Sequence, residues 1–264
     1  MANDKPKNND SIGRTFLVVF VLCLVCSIVV AGSAVGLKAQ QQEQKLLDKQ
    51  RNILDVAGLL KPDMTTAEIK ATYNNRIQPK LLDLKTATFE KSAGNFDLNN
   101  ALRSDETSIA LSPEQDLAKI RRRADRAEIY LVKDGDGKTT ELVLPVYGSG
   151  LWSMMYAFIS IDVDGVTSRG ITYYSHGETP GLGGEVDNPQ WRKQWVGKKL
   201  YNLEGAPALR IVRGGAGDNP YGVDGLSGAT LTSNGVQHMF DFWLGDNGFG
   251  PFLKKVREGA LKDG

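Results

Sequence analysis

The sequence predicts the α+β fold class: a single N-terminal transmembrane helix and stalk followed by one mixed α+β domain. Three observations carry this reading. Residues 15–37 contain no charged side chain. Segments between residues 39 and 120 show helical spacing or helix caps, broken by an irregular stretch at 86–112. From about residue 127 the pattern changes to short apolar runs separated by Asp-Gly, which is hairpin chemistry. The expected divisions are an N-terminal segment at 1–14, a membrane helix at 15–37, a stalk at 38–60 and a domain at 61–264.

The uncharged run TFLVVFVLCLVCSIVVAGSAVGL spans 23 residues, enough for a helix to cross a bilayer core. Small residues at Ala31, Gly32, Ser33 and Ala34 would also suit a signal-peptide cleavage site, but the run is longer than an ordinary signal core. A retained anchor in contact with lipid is therefore expected. Val25 is too bulky for a lipoprotein site at Cys26. Lys5, Lys7 and Arg14 precede the run, and Lys38, Lys45, Lys49 and Arg51 follow it, so charge bias does not set the orientation. Both cysteines, Cys23 and Cys26, fall within the run, which excludes disulfides and thiolate metal sites from the rest of the chain.

Leu46, Leu47, Ile53, Leu54 and Val56 recur at helical spacing and predict a stalk helix ending near Gly58. A second helix follows Pro62, with Thr65 or Thr66 as cap ahead of Glu68. Ser112-Pro113 reads as another helix start. Two hairpins follow, one turning at residues 134–137 and one at Asp164-Gly165. PQWRKQWVGKKL, from Pro189, predicts a helix, and so does TSNGVQHMFDFWLGDNG from Thr232, whose Met239, Phe240, Phe242, Trp243 and Leu244 face a core.

Lys and Arg total 32 against 31 Asp and Glu, so no global field draws the chain to nucleic acid. Aromatics make up 8% and are scattered, which offers no stacking platform. The Asp134/Asp136 and Asp162/Asp164 pairs lack the further ligands of a calcium loop and read as turns. His176 and His238 are the only histidines, too few for a metal site without thiolates, and no metal is expected. Glycines are dense from 214 to 228, yet neither a dinucleotide fingerprint nor a P-loop is present. No Gly-x-Ser-x-Gly elbow occurs.

The segment DGLSGATLTS, residues 224–233, holds four hydroxyls in seven positions. A helix cap accounts for one. Small residues at Gly228 and Ala229 leave room for a bulky group beside Thr230. Amides at a helix start suit an anion, above all a phosphate. A phosphate-bearing ligand next to Thr230 is the expectation.

Asp224-Gly225-Leu226-Ser227-Gly228-Ala229-Thr230 resembles the Asp-x-x-Ser/Thr-Gly-Ala-Thr pattern of flavinylated FMN-binding domains. HGETPGLGGEV, from His176, is similar to their second signature. The apolar run, the stalk, YGSGLWSMMYAFI and FDFWLGDNGFGPFLKKVREG together resemble the C subunits of bacterial Na⁺-translocating NADH:quinone reductases over nearly the whole chain. This resemblance implies an FMN-binding part at about 127–250, with FMN held covalently by a phosphoester to Thr230. A separate flavin transferase would attach it from FAD with magnesium. Ser227, Gly228 and Ala229 would shape the turn, Thr232 and Ser233 would meet the phosphate, and Asp224 would serve recognition or activation. Glu178, Thr179 and Leu182 would line the flavin, with Trp152 as an aromatic wall. Arg213 would face the phosphodiester or be simply solvated.

The resemblance further implies an electron carrier with no catalytic residues of its own. It would work within a multi-subunit membrane redox complex that oxidises NADH, reduces ubiquinone and pumps sodium. The chain would sit single-pass in the bacterial inner membrane, with residues 1–14 cytoplasmic and the domain periplasmic. Two alternatives stand beside it: the G-type flavoprotein subunit of the ion-pumping ferredoxin:NAD⁺ reductase, and a cofactor-free membrane-anchored binding domain.

Overall fold

The computed structural model describes residues 12–90 and 96–261. Residues 1–11 of the expected N-terminal segment and 91–95 of the irregular stretch lie outside the described residues. The chain divides into two compact units, Met1–Asp48 and Lys49–Gly264.

The first unit holds most of helix α1 (Ile12–Val56), which runs unbroken from the apolar run through the stalk sequence. Its apolar side chains are exposed; Phe16, Phe20 and Ile28 are each more than 60% accessible. Exposed Leu, Val and Phe on a helix of this length favour a surrounding of lipid. Among the described residues this is the one helix long and apolar enough to cross a membrane.

The second unit takes the last turns of α1, where Ile53, Leu54 and Val56 are buried. Helix α2 (Thr66–Arg76) starts with a full capping box: the Glu68 amide donates to the Thr65 hydroxyl, and the Thr65 amide donates to Glu68 Oε2 at 2.8 Å. Strand β1 (Ile77–Asp83) follows directly, then β2 (Thr88–Phe89), α3 (Leu98–Ala101), β3 (Ser108–Ala110) and β4 (Arg122–Ala124). The main strands are β5 (Arg126–Lys133), β6 (Thr139–Ser149), β7 (Met154–Asp162) and β8 (Ser168–Ser175). With β1 and β2 they form an antiparallel sheet in the order β2-β1-β5-β6-β7-β8. Both expected hairpins are present, β5–β6 and β7–β8. The Asp carboxylates at their tips accept turn amides, Asp134 from Asp136 and Lys138, and Asp164 from Val166 and Thr167.

A 3₁₀ turn (Gly183–Asp187) leads into α4 (Pro189–Lys193). Two short parallel strands, β9 (Arg210–Val212) and β10 (Gly222–Asp224), precede α5 (Thr230–Trp243) and α6 (Gly250–Arg257). Val236, Met239, Phe240 and Trp243 of α5 join Leu142, Leu144 and Val146 of β6 in one buried core. The opposite strand face is aromatic: Phe158 and Tyr174 stack at 4.6 Å and Tyr147 and Tyr156 at 5.7 Å.

Three expectations are corrected. Ser112-Pro113 does not start a helix, because Asp116 turns its carboxylate onto the Ile120 and Arg121 amides and the backbone goes left-handed at Lys119 and Arg121. Helix α4 ends at Lys193, where the Gln194, Trp195 and Val196 amides bond back only three residues and the Gly197 amide turns to the Ser168 carbonyl instead. Helix α5 begins at Thr230, two residues before the expected cap.

Candidate functional site

Because α5 begins at Thr230, its cap is Ala229, which has no side chain to offer the first amides. Helix α5 is 14 residues long, so its dipole and bare N-terminus favour an anion at this point. The Thr230 side chain is exposed at this end, and its hydroxyl has no hydrogen-bond partner among the described residues. The same holds for Ser227. Gly228 supplies the bend between them with a φ of +71°, a left-handed conformation that glycine adopts without strain.

Thr232 and Ser233 have other tasks. Thr232 is only 1% exposed and donates its hydroxyl hydrogen to Glu178 Oε2 at 2.6 Å. It is not among the residues lining the cavity beside Thr230, since its first-turn position faces the core. Ser233 is 6% exposed, and its oxygen accepts the Leu226 amide at 2.9 Å while also lining that cavity. The four hydroxyls thus divide into two that lock the turn and two that stand free.

The cavity measures about 550 Å³, and Arg213, Gly214, Asp224, Ser227, Thr230 and Ser233 contribute to its wall. Arg213 makes no ion pair among the described residues. Asp224 braces the wall: its Oδ1 accepts the Ala216 amide at 2.5 Å, which folds the glycine loop back on β10. Its backbone is held from α4, with Trp191 Nε1 donating to its carbonyl at 2.7 Å and its amide donating to Gln194 Oε1 at 2.9 Å.

Glu178 joins a second loop to the site. It is 5% exposed and accepts amides from Trp152 at 3.0 Å and Leu151 at 3.2 Å besides the Thr232 hydroxyl. Burial by itself would raise its pKa, but the Thr232 hydroxyl and the Trp152, Leu151 and Ser153 amides outweigh burial and lower it. The charged carboxylate is therefore favoured, and its acceptors are taken by Thr232 and the Leu151–Ser153 loop. Gly183 fits beneath it so closely that an added Cβ would lie 2.5 Å from Thr232 Oγ1 and 2.8 Å from Glu178 Oε2.

Trp152 and Leu182 are 70% and 44% exposed, and Thr179 is exposed too. Leu182 reaches the Thr230 turn, its Cδ2 lying 3.1 Å from where a Cβ on Gly228 would sit. Leu231, next to Thr230, is 59% exposed. Leu182 and Leu231 thus border the uncapped helix end, while Trp152 is placed only by its backbone amide on Glu178. His176 bonds to Asp187 at 2.7 Å and accepts the Glu178 amide, so it supports the loop. Sequence reasoning missed Trp191, Gln194 and Leu231. Trp191 and Gln194 lie in a segment read only as a helix, and nothing local pairs them with Asp224.

Residues 150–245 match the model of the FMN-binding domain family. The C subunit of the Na(+)-translocating NADH-quinone reductase of Yersinia pestis is 66% identical over 266 residues, covering 100% of both chains. This chain belongs to the C-subunit family of Na(+)-translocating NADH-quinone reductases. The C subunit of Vibrio alginolyticus is 56% identical, with 96% of this chain and 98% of the relative covered. Among solved structures, Shewanella oneidensis NqrC superposes with a TM-score of 0.75 at 37% identity, covering 82% of this chain and 100% of that one. The C subunit of Parabacteroides distasonis gives 0.64 at 26% identity, covering 82% and 96%. The full-length likeness decides between the two complexes the sequence left open. As a C subunit, the chain is one component of a multi-subunit NADH-quinone reductase, and its fold is the expected apolar helix with a mixed α+β domain.

Proposed function

We propose that this chain carries FMN through a phosphoester on Thr230 and passes electrons within a complex that oxidises NADH, reduces ubiquinone and moves sodium ions. The observation that carries the reading is the Thr230 hydroxyl, exposed and unbonded at the uncapped start of α5 beside a 550 Å³ cavity. The residues fit the group. First-turn amides of α5 and the unpaired Arg213 suit a phosphodiester. Gly228 and Ala229 leave space beside the hydroxyl, and Asp224 keeps the glycine loop folded back. Trp152, Thr179 and Leu182 would flank the ring system. When bound, the flavin would supply the redox chemistry, while the chain positions it and excludes water from one side.

A threonine hydroxyl is a weak nucleophile, and no base within hydrogen-bonding distance activates Thr230 among the described residues. This supports attachment by a separate flavin transferase. The exposed apolar run of α1 supports a single-pass anchor in lipid, with the domain in the periplasm as in the resemblance. Thr230→Ala tests the reading: in chain coexpressed with its transferase, the variant should lose the visible flavin absorbance and remain folded. A folded variant with undiminished covalent flavin would overturn it.

A further inference from the structure

Helix α4 has five residues, too few to hold its own position, yet its Trp191 and the Gln194 that follows its end grip both backbone polar groups of Asp224. Arg192 ties α4 to the sheet and to α1. Its Nε donates to the Ile171 carbonyl of β8 at 2.8 Å, and its Nη2 donates to Asp55 Oδ2 at 2.5 Å and also to the Thr172 hydroxyl. Asp55 Oδ2 also accepts the Thr172 hydroxyl at 2.9 Å. Asp55 lies in the final turn of α1, the helix that carries the apolar run.

We propose that Asp55 is a positioning residue for the Thr230 turn, acting through Arg192 and α4. The path is continuous. Asp55 and Thr172 orient Arg192, and Arg192 sets the angle of α4. Trp191 and Gln194 then hold Asp224, and Asp224 holds Ala216 and leads into the turn that ends at Thr230. Both ion-pair side chains are partly buried, at 25% and 33% exposure, so bulk solvent screens them less than an open surface pair. Trp191 is 6% exposed and packs edge-on against Trp195 at 5.5 Å, so a tilt of α4 is transmitted to Asp224 rather than absorbed by a loose side chain. The last turn of α1 is thereby tied to the site that, on the function proposed above, holds the flavin.

The test uses the full chain in detergent, with and without coexpressed flavin transferase. Asp55→Asn is compared with Arg126→Gln, which breaks a different partly exposed pair with Glu90. In unmodified chain, hydrogen exchange at the Ala216, Asp224 and Gly225 amides should rise roughly 5-fold or more in Asp55→Asn, while β5 and β6 amides are unchanged. In flavinylated chain, the same variant should shift the visible circular dichroism and midpoint potential of the flavin. Asp55→Asn with Arg192→Gln should do no more than Arg192→Gln alone. Thr172→Val, which leaves the ion pair in place, gives a smaller change of the same kind and serves if Asp55→Asn does not fold. Exchange confined to α1 and α4, or a uniform rise everywhere, would overturn the proposal and leave the flavin reading standing. Exchange that responds in a chain whose Thr230 never takes flavin would support the coupling and sink the flavin reading.

Discussion

Glu178→Gln is the sharpest single change available at the site. The carboxylate divides its acceptors: Oε1 takes the Trp152 and Ser153 amides, and Oε2 takes the Leu151 amide and the Thr232 hydroxyl. An amide side chain can keep one oxygen on Trp152 and Ser153. Its nitrogen then meets the Leu151 N–H, donor against donor, while Thr232 can rotate and accept. One buried hydrogen bond is lost outright and the rest lose charge assistance, which costs about 2–3 kcal/mol. For a domain of this size that lowers the melting temperature by roughly 4–12 °C. Thr232→Val should lose part of the same energy, and the double variant should fall short of the sum. Calorimetry and urea titration of the full chain in detergent measure all three. A Glu178→Gln protein within about 0.5 kcal/mol of wild type would refute the claim that this carboxylate clamps the two loops together.

Further expectations follow from the same geometry. The folded pKa of Glu178 lies below the ordinary 4.5, so its contribution is complete above that value and lost as pH falls through the lower folded value. Urea midpoints measured from pH 7 down to pH 3 should show this loss in wild type and a flatter profile in Glu178→Gln. Gly183→Ala brings a methyl to 2.5 Å from Thr232 Oγ1, and calorimetry should show a loss of about 1–3 kcal/mol with weakened flavin attachment. Thr65→Ala removes half of a capping box far from the site and should cost about 1 kcal/mol by urea titration, with attachment unchanged.

Much of the fold is legible in the sequence because its signals are local. Asp-Gly pairs mark both hairpins, and the Thr65/Glu68 box marks α2. The motif at 224–230 also points to one hydroxyl before any coordinates are seen. What the sequence hides is contact at a distance. Thr232 reads as a cap or phosphate ligand because it is a hydroxyl at a helix start. Only the approach of Glu178, 54 positions away, shows that it is buried and committed. Trp191 and Gln194 lie 33 and 30 positions from Asp224, so their grip leaves no trace in local spacing either. Ser112-Pro113 fails as a helix start because Asp116 supplies the backbone with a competing set of bonds.

The most direct test of the whole account is the intact mass of the chain coexpressed with its flavin transferase, followed by peptide mapping across residues 214–240. A gain of one FMN less one water, located on Thr230, is expected. An unmodified Thr230, with the transferase shown to act on another substrate in the same cells, would contradict it.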